Sequence, residues 1–299
     1  MFPCLILTVL CGVVLGTCPS EESLAPFCRC LSYDTYAMLA CANIFNAADL
    51  YQPIISTVES GYKLYSLAIN NSSLQYIPHD LFKNTGLQKI MLVSSQLMSL
   101  SDDDLAFEGL EDSLIEIRAT DAHYIAQWDW QQLRNMRKLQ LIDVNWIVMG
   151  TVEPFPELND LSTIGIIRAE ISLIADDAFS RLSNLEILNM KNNDITELKR
   201  SMLPNPATKL LILDFSGNDL QTLPTDFFTN MPNLQTLQLD DNMFVTLAED
   251  VFAWPLEHLM TFTLKGNQFR CDCRLRWLVG RRIPFDFIAE CALPDSVAG

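Results

Sequence analysis

The sequence predicts an α/β repeat solenoid, a horseshoe whose concave side is a parallel sheet. Two observations predict it. Between Leu64 and Phe269, apolar residues recur at the spacing L-x-x-L-x-L, followed by a turn residue and one more apolar residue. The clearest copies start at Leu185, Leu210, Leu234 and Leu259, 24 or 25 residues apart. Self-similarity at a period in the twenties marks stacked repeats, because one such unit cannot bury its apolar side alone. The cysteines, nine in all, sit only at the two ends, where a solenoid would otherwise expose the flanks of its terminal coils.

Residues 1–17 read as a secretory signal peptide: Phe2 to Leu15 is uncharged, too short to span a bilayer comfortably, and is followed by small residues. It lacks a positive n-region. A lipoprotein site at Cys18 is a poorer reading, because Thr17 suits that signal badly. Residues 18–63 form an N-terminal cap, 64–270 nine repeats, and 271–299 a C-terminal cap. The looser copies begin at Leu64, Leu87, Leu114, Met136 and Leu161, the one at Met136 continuing through Leu139 and Leu141. Alternation within L-x-L sends the leucines inward and their neighbours outward, one short strand per copy. Phe82, Phe179, Phe228 and Phe252 supply a second apolar column under the convex side.

The turn position is Asn193, Asn218, Asn242 and Asn267 in the second half, where a carboxamide can both donate to and accept from turn backbone. The same column reads Ser72, Ser95, Ala122, Val144 and Ala169 earlier, which predicts a less regular N-terminal half. Trp128, Trp130 and Trp146 are expected to fill space left by a distorted convex segment.

The cysteines retained after the signal peptide are spaced C-x9-C-x-C-x10-C from Cys18 to Cys41 and C-x-C-x17-C from Cys271 to Cys291. Oxidising secretion and the absence of histidine among them favour disulfides over zinc, with three connectivities open for the first four. The repeats and caps together resemble extracellular leucine-rich repeat proteins with cysteine-rich caps. That resemblance implies pairing of Cys18 with Cys30, Cys28 with Cys41 and Cys271 with Cys291, and a Trp277 that seals the last coil. A fourth cysteine of the C-terminal cap is missing, which leaves Cys273 without a partner: an incomplete product, a degenerate cap, or half of an intermolecular disulfide. The Cys18–Pro19–Ser20 start and the Ala25–Cys30 segment are similar to a secreted arthropod group that includes the non-catalytic subunit of oplophorus-luciferin 2-monooxygenase. This similarity implies a supporting or partner-binding role.

The balance of 20 basic against 37 acidic residues, a formal charge of −17, disfavours nucleic acid and anionic lipid as partners. His79, His123 and His258 lie in separate repeats with no nucleophile motif beside them, so no catalysis, cofactor or metal is expected. The run Asp102–Asp104 lacks the alternation of a calcium loop. What remains is binding of a protein partner on the concave face. Ile142, Ile167, Ile187 and Ile212 are expected to form an apolar strip there, rimmed by Arg168, Lys191 and Asp214. The expected product is a secreted protein-binding module with no membrane segment in this sequence; the alternative is the ectodomain of a receptor or adhesion protein. Asn70 and Asn71 both head glycosylation sequons.

Overall fold

The computed structural model describes residues 18–284 and 287–293, so the predicted signal peptide, with Cys4 and Cys11, lies outside the described residues. Eleven strands form one sheet in chain order, from Cys28–Tyr33 and Tyr36–Ala42 through Lys63–Asn70, Lys89–Val93, Glu116–Ile125, Leu141–Val148 and Thr163–Ile167 to Thr261–Thr263. The first pair is antiparallel and every later pair parallel. Each strand buries alternate residues, Ile90 and Leu92 for example, and its neighbours stack identical columns into one continuous core.

How each coil turns away from the sheet depends on one residue. Asn218, 4% exposed, donates to the carbonyls of Met190 (3.0 Å) and Phe215 (2.9 Å) and accepts from the amide of Ile195 (3.1 Å). Asn193, Asn242 and Asn267 repeat this pattern. With the turn satisfied from within, the strands there are three residues long, as in Ile212–Asp214. Toward the N-terminus, Ser72 and Ser95 take over. The Ser95 hydroxyl donates to the Val93 carbonyl at 2.8 Å and accepts from the Ser72 amide at 3.1 Å. In the middle, Ala122 and Ile147 have nothing to offer, and backbone pairing runs on through the turn instead, giving strands of ten and eight residues.

The coil after Met136 departs from the sequence expectation. Ile142 pairs with Ile117 and Ile164 in the buried column and is fully buried, while Leu141 faces outward. Its repeat therefore reads Leu139, Ile142, Val144, with Ile147 rather than Val144 at the turn column. Two adjacent aliphatics, Leu141 and Ile142, fit both frames, and a one-residue choice reverses every side chain.

On the convex side Trp128 and Trp130 are core; the Trp128 indole donates to the Leu97 carbonyl at 2.9 Å, and Trp130 stacks on Phe155 at 4.6 Å. Trp146 is different: it lies on the surface, 44% exposed. Phe82, Phe179 and Phe252 are buried as the second apolar column, but in their neighbour coil Phe227 fills that place and Phe228 packs edge-on against it, half-buried.

Cys18 is joined to Cys30, Cys28 to Cys41 and Cys271 to Cys291, and Cys273 is a free, exposed thiol. The half-buried Trp277 packs on the last coil and donates to the Leu247 carbonyl at 3.0 Å, with Arg281 over its ring at 5.5 Å. Among the described residues no helix is long and apolar enough to cross a membrane.

Candidate functional site

Parallel pairing turns outward positions of the strands into columns across the concave face. One column runs Lys89, Glu116, Leu141, Thr163, Ile187, Ile212, Thr236. The next runs Met91, Arg118, Asp143, Gly165, Asn189, Asp214, Gln238. At parallel-strand spacing, successive members lie about 5 Å apart.

The four isoleucines of the expected strip are not one strip. Ile142 is in the core. Ile187 and Ile212 are side by side and half-buried, and Leu141 belongs to their column, two strands from Ile187 with Thr163 between. Ile167 lies four residues beyond Thr163, next to Asn145, and so outside that column. The expected rim also divides. Asp214 is 7% exposed and accepts the Ser216 amide at 3.0 Å, so its carboxylate is committed to its own turn. Lys191 is exposed on the turn one coil earlier, after the strand Ile187–Asn189. Arg168 stands farther out, stacked over the Trp146 ring at 5.3 Å.

An ionic network that the sequence did not reveal flanks the apolar column. Lys89 reaches Glu116 at 2.8 Å, Arg118 also bonds Glu116, and Arg118 reaches Asp143 at 2.7 Å. Burial alone would push the Glu116 carboxyl up; the hydrogen bonds from Lys89 and Arg118 outweigh it and hold the group below the ordinary carboxylate range. Asp143 goes the other way, pushed up by burial that Arg118 only partly offsets. Gly165 makes room for it, since a Cβ there would lie 2.8 Å from the Asp143 Oδ1 atom. The network is internally paired, and it sets a polar, charged border at the N-terminal side of Leu141.

Asp102 accepts both the backbone amide of His79 (2.8 Å) and, at 3.2 Å, faces its Nδ1, a bond between coils. Among the described residues no three His, Cys, Asp or Glu side chains are grouped to hold a metal ion.

A family model for the leucine rich repeat matches residues 208–269, the stretch that holds Asn218, Asn242 and Asn267 of the asparagine ladder. The fold is a leucine-rich repeat solenoid. The chain is 23% identical over 195 residues to Toll-like receptor 2 type-2 of Gallus gallus, covering 65% of the chain and 24% of the relative. It is 29% identical over 210 residues to lumican of the same species, covering 69% and 50%. The chain thus spans a quarter to a half of these relatives' lengths. Among solved structures, it aligns with a chain of the octameric complex of Latrophilin 3, Unc5D and FLRT2 (TM-score 0.62, 19% identity, 91% of this chain and 94% of that one). It also aligns with human 5T4, the trophoblast glycoprotein (0.56, 19%, 92% and 94%), and with TLR13 from its complex with a single-stranded RNA (0.61, 22%, 78% and 32%).

Proposed function

We propose that this chain is a secreted, non-enzymatic recognition module that binds a protein partner on its concave face, in the manner of a supporting subunit of an extracellular complex. The observation that carries the reading is the pair Ile187 and Ile212, apolar and side by side between Thr163 and Thr236, with Leu141 in the same column. Partly exposed aliphatics in one column add little to folding, and an apolar centre within a polar border is the anatomy of a specific interface. The formal charge of −17 argues against nucleic acid here, whatever the RNA complex of TLR13. Lumican and the disulfide-bonded caps support an extracellular setting.

A second reading, the ectodomain of a membrane receptor, is favoured by the similarity to Toll-like receptor 2, of which the matched region is a quarter. The two readings share the binding face. The test is co-purification from the secreting tissue with the parent chain and with the double substitution Ile187→Asp and Ile212→Asp. The variant is expected to be secreted at parent levels and to lose its partner by at least ~30-fold in affinity, the scale of an interface hot spot. Retention of the partner by a normally secreted variant would place the interface elsewhere.

A further inference from the structure

The chain carries 37 acidic and 20 basic residues, yet six of the 20 lie between Lys265 and Arg282, where Asp272 is the single acid. Five of those six are arginines. The carboxylates that touch them are already matched. Asp272 meets Arg274 at 2.7 Å, and Arg281 bonds both Glu249 and Glu257. Arg270, Arg276 and Arg282 remain exposed, with no ion partner among the described residues.

Between this segment and the last coil opens a cleft of about 610 Å³, lined by Thr246, Ala248, Glu249, Arg274, Arg276 and Trp277 among others. Three kinds of donor border it. Arg276 brings an unpaired guanidinium. The ten-residue helix Glu249–His258 begins at Ala248, whose side chain cannot cap it, so the amides of Glu249 and Asp250 have no partner among the described residues. The Thr246 hydroxyl oxygen is buried and makes no hydrogen bond. Helix-start amides, a hydroxyl and a guanidinium together suit an oxyanion, which can accept from all of them. Glu249 lines the same cleft, but its carboxylate is bonded to Arg281; Asp250 is exposed and does not line it.

At the other end of the helix, Arg282 lines a second cleft beside His258. At 1.5 Å per residue the two helix ends lie about 15 Å apart. Cationic donors at both ends, with Arg281 between them, fit anionic groups repeated along a chain better than one small ion. All are guanidiniums, whose planar fork matches paired oxyanion oxygens as an ammonium does not. The formal charge of −17 does not forbid this, because exposed charges farther away than about 8 Å are largely screened at physiological salt.

We propose that the arginine edge of the C-terminal cap binds a sulfated glycosaminoglycan chain, one sulfate ester in the cleft of Arg276 and another beside Arg282. Sulfate esters in repeated array are oxyanions that an extracellular chain meets. The site shares only that extracellular setting with the proposed function, and the concave column takes no part in it.

The test uses the full secreted chain at about 0.15 M salt, with a heparin octasaccharide as probe and isothermal titration as readout. Binding with a Kd below about 100 μM is expected, weakened at least about tenfold when Arg270, Arg276 and Arg282 are all replaced by glutamine, while Tm stays within a few degrees of the parent. Thr246→Val removes a donor and no charge, and should weaken binding by about threefold or more. Hyaluronan, which carries carboxylates and no sulfate, should bind at least about tenfold more weakly than heparin. The proposal is overturned if heparin does not bind, if the triple variant or Thr246→Val binds as the parent does, or if hyaluronan matches heparin. Poly-glutamate that binds as tightly as heparin overturns it too, and makes this edge a contact for acidic proteins. An octasaccharide that binds no tighter than inorganic sulfate overturns the reach from Arg276 to Arg282. Should the triple variant unfold, Arg276→Gln and Arg282→Gln are measured singly, and parent-like binding by both overturns the proposal.

Discussion

Replacing Ile142 and, separately, Leu141 by alanine separates two frames, offset by three residues, that send opposite members of this adjacent pair to the core. Ile142 is fully buried between Ile117 and Ile164, so alanine there removes aliphatic carbons from a packed column and leaves a cavity. Truncations of this kind cost about 2–5 kcal/mol, and a site held by strands on both sides collapses poorly, which places the expected loss at about 3–4 kcal/mol. Leu141 is half-buried among Glu116 and Thr163 on the concave surface, so its truncation should cost below about 1 kcal/mol. Urea unfolding of both disulfide-intact variants reads the difference as a shift in midpoint at unchanged slope. A larger loss for Leu141→Ala than for Ile142→Ala would refute the pairing of these strands, and with it the composition of the concave column.

Other consequences are equally direct. Asn218→Ala removes a buried carboxamide with three backbone partners and should cost about 2–4 kcal/mol, whereas Ala122→Ser, in the same column of a coil satisfied by backbone pairing, should change stability by less than about 0.5 kcal/mol; urea unfolding compares them. The Glu116 carboxyl is held below its ordinary range in the folded state, so its stabilising contribution is present above its unfolded pKa of about 4.3 and is lost as pH falls through the lower folded value. Glu116→Gln should therefore be less stable than the parent at pH 7, with the gap closing below about pH 4 in thermal unfolding. Replacing Cys28 and Cys41 by serine opens a loop of 13 residues' separation, worth about 3 kcal/mol, and per-coil hydrogen exchange should rise in the first three coils and not in the asparagine coils. Asn71 is exposed, whereas Asn70 is half-buried, so peptide mass analysis with and without glycosidase should find the glycan on Asn71.

The parts of this fold that the sequence exposes are those where chemistry is tied to a single position. An asparagine that must satisfy three backbone groups repeats at a fixed offset, and cysteines that must close the ends stand only there, so repeat, ladder and caps could be placed from residue types alone. The middle coils lack such a marker. Ala122 and Ile147 occupy the turn column without polar atoms, and Met136, Leu139 and Leu141 mimic the apolar phrase three residues out of frame, which in the sequence sends Ile142 to the outer face although it is buried. The concave site is harder still, because a column is a property of pairing between coils. Ile167 and Ile187 look alike along the chain, yet one pairs beside Asn145 and the other beside Thr163. Asp214 offers a similar lesson: an outward position in the sequence became a buried carboxylate bonded to its own turn. The Glu116–Arg118–Asp143 network had a legible signal, alternate charged residues on adjacent strands, but it required the correct frame at Leu141 to be seen.

The concave face as the protein-binding surface is tested most directly by hydrogen exchange of the secreted chain with and without its co-purified partner. Slowed exchange is predicted in the strands from Leu141–Val148 to Ile212–Asp214 and in the turns that follow them, with the convex segments around Phe155, Phe179 and Phe227 unchanged. Protection confined to the convex segments or to the caps, with the strands from Leu141 to Asp214 exchanging as in the free chain, would contradict it.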